Sequence, residues 1–378
     1  MVMNYRENDL NKVVCFVCTT PFQIITAINI TRQKKLYADL YIVPQFSNAK
    51  ELSNSISNTD VFRNVIYVNT SQIEEYKKTK NKLFLHLGIV WNYLRISSVV
   101  KKFLLDDVTY SIIYVSSKAN IGRLVTLYYI KRGIHFRTIV FDDGESSYDN
   151  EAITNPSKAD QKLRRAIFGK EAVRPVNELW LYSPSLFQEI NPDSSVVVNQ
   201  LPLIPQDDDT KLLYNKIFRV SSSDLISERA IILDIIKNEN LEGKKEELIA
   251  IYEIIADVFG SNQTIIKKHP RDKSQELETF KYYKKSEIPF EILLLNQDLS
   301  NKVLVTVSST AITIPKLLFN VEPIVIYLGN LVKTKQARIG KATEYYEACK
   351  KTYDDPNRFI IPESVEDLKY SLKQFEER

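Results

Sequence analysis

Short apolar runs recur along the chain, most of them followed at once by polar or hydroxylated residues and then by a stretch with helical spacing. Lys12 to Cys18, read KVVCFVC, is the first and reads as a strand buried on both faces, as in a parallel sheet. Leu40–Pro44, Val65–Val68, Ser111–Ser116, Arg137–Phe141 and Glu178–Tyr182 repeat the pattern. Ala230–Ile236, the run ending in Lys268, Ile292–Leu295, Val303–Val307 and Pro323–Leu328 continue it. Between them the spacing predicts helices from Pro21, over Leu83–Leu105, Asn120–Lys131 and Ala152–Val173, and a charged helix after Arg271. Leu248, Ile251, Tyr252, Ile255, Val258 and Phe259 keep the i, i+3, i+4 spacing of an amphipathic helix that Gly260 ends. Ser364–Phe375 is a terminal helix long enough to cross back to the first half. Strand and helix alternate throughout, which predicts an α/β protein with parallel sheets.

Asn191 to Asp209 breaks the alternation with Pro192, Pro202 and Pro205 and the run Asp207-Asp208-Asp209. It reads as a solvated linker, so the chain divides into residues 1–205 and 206–378. Two successive halves of this kind predict two Rossmann-like domains facing a cleft, with ligands taken at the carboxyl ends of strands.

The residues at those ends therefore carry the chemistry. After the first strand, Thr20 is suited to cap a helix and Pro21 to its first turn, with Gln23 a polar group at the same place or on the surface. Arg137–Phe141 runs into Asp142, Asp143 and Gly144: a turn dipeptide, or a pair of carboxylates placed where a general base belongs. Ile265–Arg271 reads IIKKHPR, and Pro270 holds His269 extended beside Lys267, Lys268 and Arg271. That is a basic strand exit or a phosphate site. Val303–Val307 ends in Ser308, Ser309 and Thr310, hydroxyls at a helix start that suit an anion, though Pro315 moves the helix start toward Thr313 or kinks it.

Composition narrows the classes. The chain has 378 residues, 44% hydrophobic and 26% charged, with 51 basic against 47 acidic side chains. That balance gives no sign of nucleic-acid binding and suits an anionic small molecule. Nine glycines leave no glycine-rich phosphate loop. Cys15 and Cys18 lie within the first apolar strand, which favours two small core residues over a metal or redox pair. The polar N-terminus and the few cysteines point to a cytosolic protein, at most peripheral on the inner face of the cell membrane. Leu83–Leu105 carries too many polar groups to span a bilayer. It reads as a helix packed on the sheet with a basic wet face; the alternatives are a membrane-surface contact through Trp91 and Tyr93, or a homodimer contact.

The ordered set FDDG (Phe141 to Gly144), KKHPR (Lys267 to Arg271) and SST (Ser308 to Thr310), with the opening TTPFQIITA, resembles the bacterial sialyltransferases of glycosyltransferase family 52, which act on lipooligosaccharide and related surface glycans. The resemblance runs from residue 13 to about 330. It implies a GT-B fold, CMP-sialic acid as donor, a galactose-terminated glycan or glycolipid as acceptor, and an inverting reaction, with an α2,3 linkage as the working expectation and no metal or cofactor. Carried over by residue, Asp142 or Asp143 is the base that deprotonates the acceptor hydroxyl. His269, with Lys268 and Pro270, meets the departing CMP phosphate, and Ser308, Ser309 and Thr310 hold it. A rival base early in the second half is Asp234, Glu239 or Glu242. Two other classes remain: a GT-B enzyme using a UDP- or GDP-sugar, including an epimerase, and a non-catalytic glycan- or anion-binding protein.

Overall fold

The computed structural model describes residues 13–73, 81–106, 108–116, 120–149, 158–173, 178–234, 245–269, 276–332 and 339–375. The chain forms two compact units, Met1–Pro184 with Asp193–Pro202, and Ser185–Pro192 with Leu203–Arg378.

In the first unit the strands are β1 (Val14–Cys18), β2 (Ala38–Ile42), β3 (Asn64–Tyr67), β4 (Ile112–Val115), β5 (Arg137–Phe141), β6 (Glu178–Leu181) and β7 (Val197–Gln200). They form one seven-stranded sheet in the order β3-β2-β1-β4-β5-β6-β7, every pair parallel. The apolar first strand lies in its interior, where Phe16 stacks on Tyr114 at 4.3 Å and meets Phe141 edge-on at 6.1 Å. Cys15 and Cys18 are fully buried there, and burial pushes both thiols well above their usual range. They are core residues, not a reactive pair.

In the second unit β8 (Ala230–Asp234), β9 (Thr264–Lys268), β10 (Lys281–Tyr282), β11 (Val303–Thr306), β12 (Ile324–Tyr327) and β13 (Phe359–Ile360) form a six-stranded parallel sheet ordered β10-β9-β8-β11-β12-β13. Both sheets share one winding. The chain steps outward from the first strand to one edge, then returns to the other side of that strand. This is the Rossmann order, with its reversal between β1 and β4 and again between β8 and β11.

Ile232, Ile266, Val305 and Ile326 pack beneath Tyr252 and Ile255 of the helix Lys245–Phe259. Leu368 and Leu372 of the terminal helix Val365–Lys373 complete that same core, so this helix packs within the second unit. The segment that leaves its sequence neighbours is Ser185–Pro192, whose Glu189 pairs with Lys351 of the second unit at 2.6 Å.

Several elements depart from the sequence reading. The run Leu83–Leu105 is two helices, Lys82–Leu94 and Ile96–Val100, interrupted at Arg95 (φ −99°, ψ 22°). Ile292–Leu295 is helical, within Phe290–Leu295. Strand β7 lies in the stretch read as a linker, and β10 in the stretch read as a charged helix. The basic helix after residue 152 is described from Lys158 to Phe168 and passes into a 3-10 turn at Lys170–Val173.

Candidate functional site

In the first unit the carboxyl end of β1 turns directly into the helix Pro21–Gln33. Thr20 takes an extended backbone (φ −131°, ψ 156°), and its Oγ1 accepts from the Gln23 amide at 3.3 Å. Pro21 stands in the first turn, where no amide proton is needed. Gln23 does not face the surface. It is fully buried and turns back over the strand end, its Oε1 accepting from the Thr19 amide at 2.6 Å and from the Thr19 hydroxyl at 3.2 Å. Its Nε2 has no hydrogen-bond partner among the described residues.

The end of β5 holds the two carboxylates in different ways. Asp142 is buried, 2% exposed, and its carboxylate accepts from three donors. These are the Gly144 amide at 2.9 Å, the Tyr148 hydroxyl at 2.8 Å and the Tyr182 amide at 3.1 Å. Burial raises its pKa to about 6 against the pull of those donors, and the neighbouring Asp143 charge adds to the rise. Asp143 is half-buried, its amide donating to Ser147 Oγ at 2.8 Å. Gly144 sits at φ 85°, ψ −157°, a region closed to side chains, so glycine is required for the turn that brings its amide onto Asp142.

These two strand ends belong to one rim. The Asp143 charge pushes the Cys18 thiol up further, and Tyr182, just past β6, reaches across to the helix Pro21–Gln33. Its hydroxyl donates to Thr26 Oγ1 at 3.2 Å and its ring lies 6.2 Å from that of Phe22. Tyr148 and Tyr182 therefore organise the Asp142–Gly144 turn. The only sequence signal for Tyr182 was a polar-tipped aromatic closing a strand; Tyr148 carried none.

In the second unit, strand alternation separates the two lysines of β9. Lys267 is buried, 4% exposed, with its Nζ donating to the Ser286 carbonyl at 3.3 Å and lying 5.3 Å from the Tyr283 ring. Burial lowers its pKa to about 8, partly offset by Glu291 and Glu287. It is thus no part of an exposed cationic cluster, and the sequence reading that grouped it with His269 is corrected. Lys268 is half-buried and in register with Asp234 at the end of β8. His269 follows β9 and is exposed. Pro270, Arg271, Glu239 and Glu242 lie outside the described residues.

At the end of β11, Thr306 Oγ1 donates to the Leu233 carbonyl of β8 at 2.8 Å and accepts from the amides of Ser308 at 3.2 Å and Ser309 at 2.9 Å. This one buried hydroxyl ties the serine loop to the neighbouring strand at the reversal point. Ser309 caps a single 3-10 turn, Thr310–Ile312, accepting from the Ala311 amide at 3.4 Å. The α-helix that follows is Ile314–Phe319, with Thr313 before it and Pro315 in its first turn. The hydroxyls expected at a helix start therefore stand on a loop, and the helix dipole has little length behind it. Ser308 is exposed, and His269 and Ser308 stand past the strands on either side of β8.

No protein-family profile matches the chain, and no curated protein does. Solved structures do. Arabidopsis thaliana UGT89C1 complexed with UDP-L-rhamnose matches with a TM-score of 0.51 at 10% identity, over 97% of this chain and 93% of that one. Phytolacca americana UGT2 follows at 0.48 and 9%, over 97% and 94%. The spinosyn rhamnosyltransferase SpnG complexed with thymidine diphosphate gives 0.47 and 10%, over 97% and 92%. At such identity the likeness concerns the fold. Two Rossmann-ordered parallel sheets, matched over nearly the whole chain, make this a GT-B fold.

Proposed function

We propose that this chain is a glycosyltransferase that uses a nucleotide-activated sugar, and that the donor is CMP-sialic acid. The acceptor in this reading is the terminal galactose of a surface glycan or glycolipid, the transfer inverting, metal-independent and α2,3. The observation that carries the reading is where the motif residues fall. D-D-G, the histidine of H-P, and S-S-T, spread over the chain, all stand at carboxyl ends of parallel strands in a GT-B fold.

In this reading each motif residue takes a role. The three internal donors on Asp142 support Asp143 as the base that takes the acceptor hydroxyl proton. The acceptor oxygen forms the new bond to the anomeric carbon as the bond from that carbon to the phosphate oxygen breaks. The sialyl centre is oxocarbenium-like at that point, and the charge developing on the phosphate sets much of the barrier. His269 meets that charge by protonation or a hydrogen bond, and Ser308, Ser309 and Thr310 add hydroxyl and amide donors. Lys268 contributes a positive field beside the end of β8. Thr20 and Gln23 order the acceptor-side rim. The rival base Asp234 stands on β8, among the nucleotide-holding residues.

A second reading, transfer or epimerisation of a UDP- or GDP-sugar, is favoured by one observation: the UGT89C1 structure holds UDP-L-rhamnose. Thermal-shift titration with CMP, UDP and GDP separates the two. Sialyl transfer predicts the larger stabilisation by CMP; preferential stabilisation by a diphosphate supports the second reading.

A further inference from the structure

The helix Lys82–Leu94 is fixed to the first unit by one side. Tyr93 is buried, its hydroxyl donating to Asp160 Oδ1 at 3.0 Å, and buried Asn92 donates to the Ile73 carbonyl at 2.8 Å. The sequence reading gave the other side a basic surface and paired Trp91 with Tyr93 as interfacial aromatics; the structure separates them. Phe84 is 60% exposed, Leu87 54%, Trp91 59% and Leu94 57%. At helical spacing these four fall within one quadrant of the helix, an apolar stripe turned to solvent. Four large side chains in a row form a patch that calls for an occupant, unlike singly scattered exposed residues.

Charge indicates which occupant. From Lys77 to Leu105 the sequence has seven Lys and Arg residues and no Asp or Glu, in a chain whose charges otherwise nearly balance. Among the described residues of that stretch, Arg95, Lys101 and Lys102 are exposed, and the Arg95 guanidinium lies 5.3 Å from the Trp91 ring. A second copy of this surface would bring like charges together. A sheet of anionic headgroups over hydrocarbon matches both features at once. Among the described residues no helix is long and apolar enough to cross a membrane, so the contact is one that lies on the surface.

We propose that Phe84, Leu87, Trp91 and Leu94 insert shallowly into an anionic lipid surface, with Arg95, Lys101 and Lys102 at the headgroups. The protein carries its own reporter. Of its two tryptophans, Trp180 is 4% exposed in the sheet, so a lipid-dependent change in emission belongs to Trp91.

The test is titration of the full chain with vesicles of phosphatidylcholine alone and of phosphatidylcholine with phosphatidylglycerol. Tryptophan emission and co-sedimentation are followed at low and high salt. The expected result is a blue shift and co-sedimentation with anionic vesicles only, weakened roughly tenfold or more by salt and by Leu87→Ser with Phe84→Ser, which keeps the Trp91 reporter. Those two side chains are exposed, so the double variant should keep the wild-type melting temperature. Equal response to neutral vesicles, or none to anionic ones, overturns the proposal. So does a blue shift that grows with protein concentration without lipid while the mass doubles, which would assign the stripe to a second copy.

Discussion

Tyr148 donates its phenol proton to Asp142 Oδ2 across 2.8 Å, and that bond gives two adjacent aspartates different surroundings. Asp142→Ala would leave the Tyr148 hydroxyl and the amides of Tyr182 and Gly144 without their acceptor in a buried place. It should cost about 2–4 kcal/mol of unfolding free energy. Asp143→Asn should cost less stability than Asp142→Ala and lower kcat by roughly two to four orders of magnitude. Denaturant unfolding together with steady-state kinetics on both variants checks this; a stable, inactive Asp142 variant beside an active Asp143 variant would reverse the assignment.

Lys267 should be visible in the alkaline stability profile. Its folded pKa is lowered to about 8 from an unperturbed 10.5, so between those values the unfolded chain holds more proton than the folded one. Stability from this group therefore rises with pH through that window, by up to about 1.4 kcal/mol per pH unit. The wild-type curve minus that of Lys267→Met should show the rise between pH 8 and 10 and be flat at pH 6 to 7.

At the opposite end of the first sheet from the rim, Asp39 is fully buried and holds a network the sequence did not announce. It accepts from Arg63 Nε at 2.9 Å, Asn64 Nδ2 at 3.0 Å and the Tyr110 hydroxyl at 2.7 Å, and pairs with the Arg63 NH2 group. Tyr110 in turn bonds Tyr41 at 2.6 Å. Asp39→Ala should destabilise the protein by about 3–5 kcal/mol. Because the network lies away from the rim, the KM of the folded fraction should not change. Chemical denaturation and kinetics at low temperature measure both.

His269→Ala should lower kcat by roughly two to four orders of magnitude, with a smaller loss in CMP affinity, since an exposed imidazole acts mainly on charge that develops during transfer. Ser308→Ala should lose less, because the Ser308 amide stays held by Thr306. Single-turnover rates alongside CMP titration separate the two effects.

The sequence showed most clearly those elements whose physics is local. Continuous apolar runs gave β1, β5, β9 and β11, and Thr20 before Pro21 gave the first helix start. The short apolar run ILLL inside Phe290–Leu295 does not tell strand from helix by periodicity, and it turned out helical. Strands β7, β10 and β13 are edge or near-edge pieces of two to four residues, too short to show a period. The site divided in the same way. Motif residues were legible as residue types at strand ends. Which of Asp142 and Asp143 is engaged depends on Tyr148 and Tyr182, remote or unremarkable in sequence. Which lysine of β9 is covered depends on the segment carrying Tyr283 and Ser286. On the helix Lys82–Leu94, the basic residues suggested a polar wet face, and the packed position of Tyr93 turned the apolar stripe outward instead.

Sialyl transfer is decided by incubating the protein with CMP-sialic acid and a panel of galactosides, reading free CMP and the product linkage by NMR. Wild type should form a sialyl galactoside with inversion, and Asp143→Asn nearly none. Absence of transfer from CMP-sialic acid, with turnover of a UDP- or GDP-sugar under the same conditions, would contradict sialyl transfer.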